Sequence, residues 1–223
     1  MPRYRNLFTK ASLLILLPVL LSLHSGTDQH YPRGCYMSFA EIKNKAPGFG
    51  CILKIEKRGE DAKLWLGGND FRMVPADKCI SKAKIQNQVW AYSNDTVLFV
   101  NCRLLNIQSR DEPATNSYSQ VLTYGRYLAF YSYYLSQEVK IAGALGGAVG
   151  TAIAAGNSKE PLKKELHVID MQTAMLFWVD SAFIAKTLEG LPELYGKFTQ
   201  KEMSANDAEV QLHYLKLVNN AQP

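Results

Sequence analysis

The rhythm of apolar and polar positions changes several times along the chain. Residues 11–23 (ASLLILLPVLLSL) are continuously apolar. From Ile52 to Leu135, short apolar runs alternate with turn residues. Residues 141–155 (IAGALGGAVGTAIAA) carry no charge and consist mostly of glycine and alanine. From Asp180 onward, apolar side chains recur every three to four positions. Period two marks strands and period 3.6 marks helices.

The first element of the mature region is a short helix over 36–46, capped by Ser38 with Glu41 three residues on and stopped by Pro47. Strands follow at Ile52–Lys57, Ala62–Leu66 and Phe71–Val74. Gly59–Asp61 supplies one turn and Gly67-Gly68-Asn69-Asp70 a hairpin turn. Ile85–Tyr92 and Thr96–Asn101 form a second hairpin around Ser93-Asn94-Asp95. Residues 108–118 read as a loop. Tyr118–Leu135 reads as one or two strands broken near Gly125, and Leu166–Met171 and Ala174–Val179 as a further pair. The excursion from 136 to 165 thus leaves the sheet and returns to it.

Three helices close the chain. Asp180 or Ser181 caps the first, which Gly190 ends. Pro192 opens the second, whose stripe is Leu191, Leu194, Tyr195 and Phe198. Ser204, with Asp207 three residues on, caps the third, which bears Val210, Tyr214, Leu217 and Val218. Strands first and helices last favour an α+β fold. It comprises an antiparallel β-sheet with a Gly/Ala-rich insertion and C-terminal helices packed on it: a mainly β region over 26–179 and a helical region over 180–223.

The insertion carries small-xxx-small spacing: Gly143 with Gly147, Gly146 with Gly150, and Ala148 with Ala152, with Ala154 on the same run. Such spacing permits close approach of helices in lipid or in a core. Glycine is costly in a helix, about 1 kcal/mol each. The segment is therefore expected as a helix, or two helical pieces, only if its small side meets another apolar surface or lipid. The competing expectation is a flexible loop.

The N-terminus has the three-part shape of a signal peptide: Arg3, Arg5 and Lys10, then the apolar run, then small polar residues. Cleavage near Ser25 or Gly26 is expected; an uncleaved anchor is the alternative. Those three positive charges have no negative companion within residues 1–25, so the formal net charge of +5 falls to +2 on removal. About 198 residues remain, enough for one domain with a sizeable core. The remainder has no basic block, so no nucleic-acid partner is expected. Export permits disulfides among Cys35, Cys51, Cys79 and Cys102, in any of three pairings, and buried free thiols compete with bridges.

Local signatures of chemistry are absent. There is no nucleophile elbow, zinc-protease helix, phosphate loop or dinucleotide fingerprint. His30, His167 and His213 lie far apart, and His167 and Asp170 fall on opposite faces of one strand. Glu60-Asp61 and Asp111-Glu112 are adjacent acidic pairs in expected loops, at most weak calcium sites. No catalytic residue, cofactor or metal is assigned, and the balance leans away from an enzyme. Tyrosine is dense in Tyr124–Tyr134, where Tyr127, Tyr131 and Tyr133 offer either a ligand platform or the half-buried face of a sheet.

Four stretches carry a family resemblance: GCYMSFAEIKNKAP (Gly34–Pro47), YGRYLAFYS (Tyr124–Ser132) before the Gly/Ala run, LHVIDMQTA (Leu166–Ala174), and LPELYGKF (Leu191–Phe198). The layout resembles a family of uncharacterised exported proteins of Bacteroidetes-type bacteria. The resemblance implies export into a bacterial envelope and no known activity. One departure stands out: Met171-Gln172-Thr173-Ala174, where the resemblance leads one to expect a turn containing glycine. Two functions are expected. One is a non-enzymatic envelope protein of the periplasm or outer membrane, held to a membrane surface or protein partner by Gly143, Gly146, Gly147, Gly150 and Ala154. The other is a periplasmic binding module built on the tyrosine-rich face.

Overall fold

A computed structural model describes residues 30–66, 68–107, 116–201 and 207–221. The signal-peptide segment and the Asp111-Glu112 pair lie outside the described residues. Among the described residues, the nine strands are β1 (Gly34–Tyr36), β2 (Leu53–Lys57), β3 (Phe71–Pro75), β4 (Ala91–Ser93), β5 (Leu98–Asn101), β6 (Tyr118–Thr123), β7 (Tyr127–Leu135), β8 (Leu162–Asp170) and β9 (Leu176–Trp178). The seven helices among the same described residues are α1 (Phe39–Lys43), α2 (Glu60–Leu66), α3 (Lys82–Asn87), α4 (Gln137–Asn157), α5 (Ser181–Leu188), α6 (Pro192–Lys201) and α7 (Ala208–Ala221). The strands form one antiparallel sheet in the order β1-β4-β5-β6-β7-β8-β9. β2 pairs with β3, which joins the sheet at β6 through Phe71 and Tyr118. The fold is α+β, as the order of elements along the sequence implies.

Local chemistry explains most elements. Ser38 caps α1 by accepting from the Glu41 amide, and Glu41 accepts from the Met37 and Gly48 amides. Asp180 caps α5 by accepting from the Phe183 amide at 2.7 Å. Gly125 has φ +139°, and a β-carbon there would collide with the Asn219 side chain, so the β6–β7 turn requires glycine.

Several expectations are corrected. Residues 60–66 are the helix α2, not a strand: Glu60 and Asp61 occupy its first turn, where carboxylates favour helix. The hairpin of this region is instead β2–β3, with Leu53–Lys57 paired to Phe71–Pro75. Residues 82–87 are the helix α3, capped by Ser81, and of the expected strand Ile85–Tyr92 only Ala91 and Tyr92 are extended, with Ser93 of the expected turn completing β4. The Asn101 side-chain Nδ2 donates to the Val89 carbonyl, and the Tyr118 hydroxyl donates to that of Ile85. These long-range bonds receive the carbonyls where α3 ends. The last helix begins after Asp207, whose carboxylate accepts from the Glu209 amide; Ser204 lies outside the described residues.

Two faces of the sheet are covered. β7 and β8 share one core with α5, α6 and α7, including Tyr127, Leu166, Val168, Ile184, Phe198 and Leu215. Phe198 is fully buried and Leu194 packs on the same cluster, but Tyr195, expected on that stripe, is 40 % exposed and does not join the core. Asn219 fastens α7 to the sheet: it accepts from the Tyr127 amide and donates to the Tyr127 carbonyl and the Thr123 hydroxyl. Cys51 and Cys79 form a disulfide, and Cys35 and Cys102 are buried free thiols. Burial pushes the Cys35 thiol up to about 11 and the Cys102 thiol to about 12, which leaves both unreactive.

Candidate functional site

The chain leaves the sheet after Leu135 and returns at Leu162. These two residues face each other as the last pair of the β7–β8 ladder. The Ser136 amide donates to the Pro161 carbonyl at 2.9 Å and closes the base of the excursion. Between these feet stands α4. By composition it is apolar enough to cross a membrane, with a mean hydropathy of 1.4. Gly147, at φ 60° and ψ −142°, breaks it in two. A positive φ is tolerated by glycine and strained for bulkier residues. The two arms, 137–146 and 148–157, are each about 15 Å long.

The arms fold back on each other. A β-carbon at Gly143 would sit 2.6 Å from the Thr151 hydroxyl, and one at Gly150 would fall on the Ala142 carbonyl. Small residues are thus required where the arms touch. The expected spacing works across the bend, not along one helix face, because Gly147 reverses the chain. Gly146 and Gly147 form the bend, where a β-carbon would meet nothing within 4 Å; Ala148 and Ala152 are exposed, and Ala154 is half-buried. The Thr151 hydroxyl donates to the Gly147 carbonyl at 3.0 Å, which satisfies a backbone group at the bend. The larger side chains point away: Ile141 is 53 % exposed, Leu145 86 %, Val149 69 % and Ile153 61 %. Among the residues of α4, only Val139 is buried.

A groove of about 980 Å³ runs along the hairpin from its base to the bend at Gly147. Trp65 of α2 and Tyr134 and Leu135 of β7 line it, together with Lys140, Ile141, Ala144 and Ala148 of α4. Lys140 lies 5.4 Å from the centre of the Tyr134 ring. Glu165 is held above the ordinary carboxylate range by burial, against the pull of Lys140 and of a hydrogen bond from Tyr134.

The three tyrosines are placed separately. Tyr127 is buried in the core, edge-on to Phe183 at 5.8 Å. Tyr131 is half-buried under the Lys164 ammonium, 4.2 Å from its ring centre; its hydroxyl lies towards Glu209 without good hydrogen-bonding geometry. Tyr133 carries the Lys63 ammonium 3.8 Å from its ring centre, and Lys63 in turn donates to Asp70. Burial raises the pKa of both hydroxyls.

The histidines are not brought together. His30 meets Asp95 at 3.2 Å on the surface, and His213 is exposed. His167 is buried, stacked on Phe130, with Nδ1 3.1 Å from the Ser132 hydroxyl. Burial lowers its pKa to about 4. Asp170 faces Arg126 instead. Cys51, Asp77 and Cys79 are a close cluster of metal-type ligands, but a bridged sulfur offers no thiolate. Sequence reasoning missed Trp65 and Lys140. Their positions in α2 and beside the Gly/Ala run carry no local signal, because the groove forms only when the hairpin stands beside the end of β7 and α2.

The model of a family of unknown function (DUF6563) covers residues 34–222, and the chain belongs to that family. No curated protein and no solved structure matches the chain.

Proposed function

We propose that this member of DUF6563 is an exported, non-catalytic protein of a bacterial cell envelope that docks on a membrane through the α4 hairpin. The observation that carries the reading is the exposure of Ile141, Leu145, Val149 and Ile153 on a segment without charge. A helix apolar on all sides needs cover on all sides. Lipid provides that, whereas a protein partner covers one face. Each exposed aliphatic side chain gains about 1.5–3 kcal/mol on leaving water. Other features agree. Lys140 and Lys159 bracket the apolar run, and Trp65 and Tyr134 stand at its base, where such residues mark the membrane–water boundary. Arms of about 15 Å enter one leaflet of a bilayer core about 30 Å thick without crossing it. Export is supported by the pattern of residues 1–25 and by the Cys51–Cys79 disulfide, a bond of oxidising compartments.

The test is flotation of the mature protein with phosphatidylethanolamine/phosphatidylglycerol vesicles. The native hairpin should float. Leu145→Asp and Val149→Asp should each weaken vesicle affinity by roughly 100-fold, since an aspartate in the apolar layer costs about 3 kcal/mol. Equal flotation of the double variant would overturn the reading. A binding module on the tyrosine-rich face has less support, because Tyr127 is buried and the Tyr131 and Tyr133 rings are covered by lysines.

A further inference from the structure

We infer that the groove at the base of α4 binds one anionic single-chain amphiphile of the fatty-acid class, with its acyl chain against the hairpin and its head group at Lys140. The inference goes beyond membrane docking and does not depend on it. A groove of about 980 Å³ falls at the upper end of small-molecule sites, which span about 300–1,000 Å³. Its walls are mainly apolar: Trp65, Tyr134, Leu135, Val139 and Ile141, with Ala144 and Ala148 leaving room that larger side chains would fill. A ligand rich in hydroxyls would find few partners there. Thr151 already donates to the Gly147 carbonyl, and Gln137 is the other amide or hydroxyl side chain of α4 in the lining. An acyl chain needs no such partners.

Charge decides the head group. Lys140 is the one charged residue among those lining the groove. Its neighbours are the Tyr134 ring, 5.4 Å from the ammonium to the ring centre, and Glu165. An ammonium beside apolar walls attracts an anion more strongly than one in open water, because the effective dielectric is lower. Lys140 is exposed and Trp65 is 42 % exposed, so the head group stays near solvent while the chain is covered.

The experiment is calorimetric titration of the full mature protein with laurate below its micelle concentration. The expected result is saturable binding of one laurate per chain, with dodecanol at least about tenfold weaker, a difference within reach of one partly desolvated charge pair. Lys140→Met should bring laurate and dodecanol to the same affinity. Ala148→Phe, checked for an unchanged circular dichroism spectrum, should abolish binding of both. Non-saturable uptake, equal affinity of the native protein for laurate and dodecanol, or undiminished binding by Ala148→Phe would each overturn the proposal. Leu145→Asp separates the two ideas, since it removes vesicle flotation and leaves laurate binding unchanged. Flotation without laurate binding sinks the groove alone, and laurate binding without flotation sinks the docking alone.

Discussion

His167 ties stability to acidity at a single residue. Its ring is buried against Phe130, and its pKa drops from 6.5 to about 4 because burial disfavours the imidazolium. Above about pH 6.5 the ring is neutral in both folded and unfolded chains and has no effect. As pH falls from about 6.5 towards 4, the unfolded chain binds a proton that the folded chain refuses. Stability therefore declines by up to about 3 kcal/mol over that window. Urea midpoints at pH 7, 5.5 and 4.5 should fall more steeply for the native protein than for His167→Gln. Parallel declines would show that His167 is not the group responsible. Ala174 presents a backbone cost of another kind. It holds φ +61°, and its amide donates to the Asp170 carbonyl in the β8–β9 turn. The left-handed region costs a residue with a β-carbon about 1–2 kcal/mol, and glycine gives back about 0.5–1 through its greater freedom when unfolded. Ala174→Gly should raise the unfolding free energy by about 0.5 kcal/mol, read from the urea midpoint; a loss would mean that the turn is not strained.

At the scale of the element, the α4 hairpin is loosely tied to the sheet. Its feet are paired at Leu135 and Leu162, and Val139 is its one buried side chain. Replacing residues 141–157 by a short Gly/Ser linker should leave the melting temperature within a few degrees of native while removing vesicle flotation. A collapse in cooperativity would mean that the hairpin is part of the core. The excursion itself was legible in the sequence, because uncharged Gly/Ala residues between Lys140 and Lys159 cannot supply a half-buried strand. The bend was not legible. Five glycines lie among residues 143–156, and only the return contacts of Gly143 with Thr151 and Gly150 with Ala142 select Gly147 as the turning point. α2 and α3 were misread for a related reason. Each is short, and neither Trp65 nor Ile85 reveals period from one or two apolar positions. Capping and first-turn carboxylates at Ser81, Glu60 and Asp61 were the better signals. The groove was not legible at all, since Trp65 and Lys140 meet only in space.

At the scale of the whole molecule, the disulfide and α7 hold distant parts of the chain together. Cys51 and Cys79 close a loop with a sequence separation of 28, which by the chain-entropy relation is worth roughly 3–4 kcal/mol. Cys51→Ser with Cys79→Ser should lower the unfolding free energy by about 3 kcal/mol, and dithiothreitol should destabilise the native protein but not the double variant. Equal sensitivity of both to the reductant would contradict the pairing. Asn219 of α7, anchored to Thr123 and Tyr127, holds the far end of the chain on the strand that leads into the hairpin. That placement has a mechanical consequence. A tug on a membrane-held hairpin reaches the body through two adjacent, antiparallel strand ends and pulls both in the same direction. β7 and β8 are then not peeled apart pair by pair. They are drawn lengthwise against β6, β9 and α7, so that the flanking hydrogen bonds share the load at once. Under the proposed docking, the body would behave as an anchor block and the hairpin as its tether.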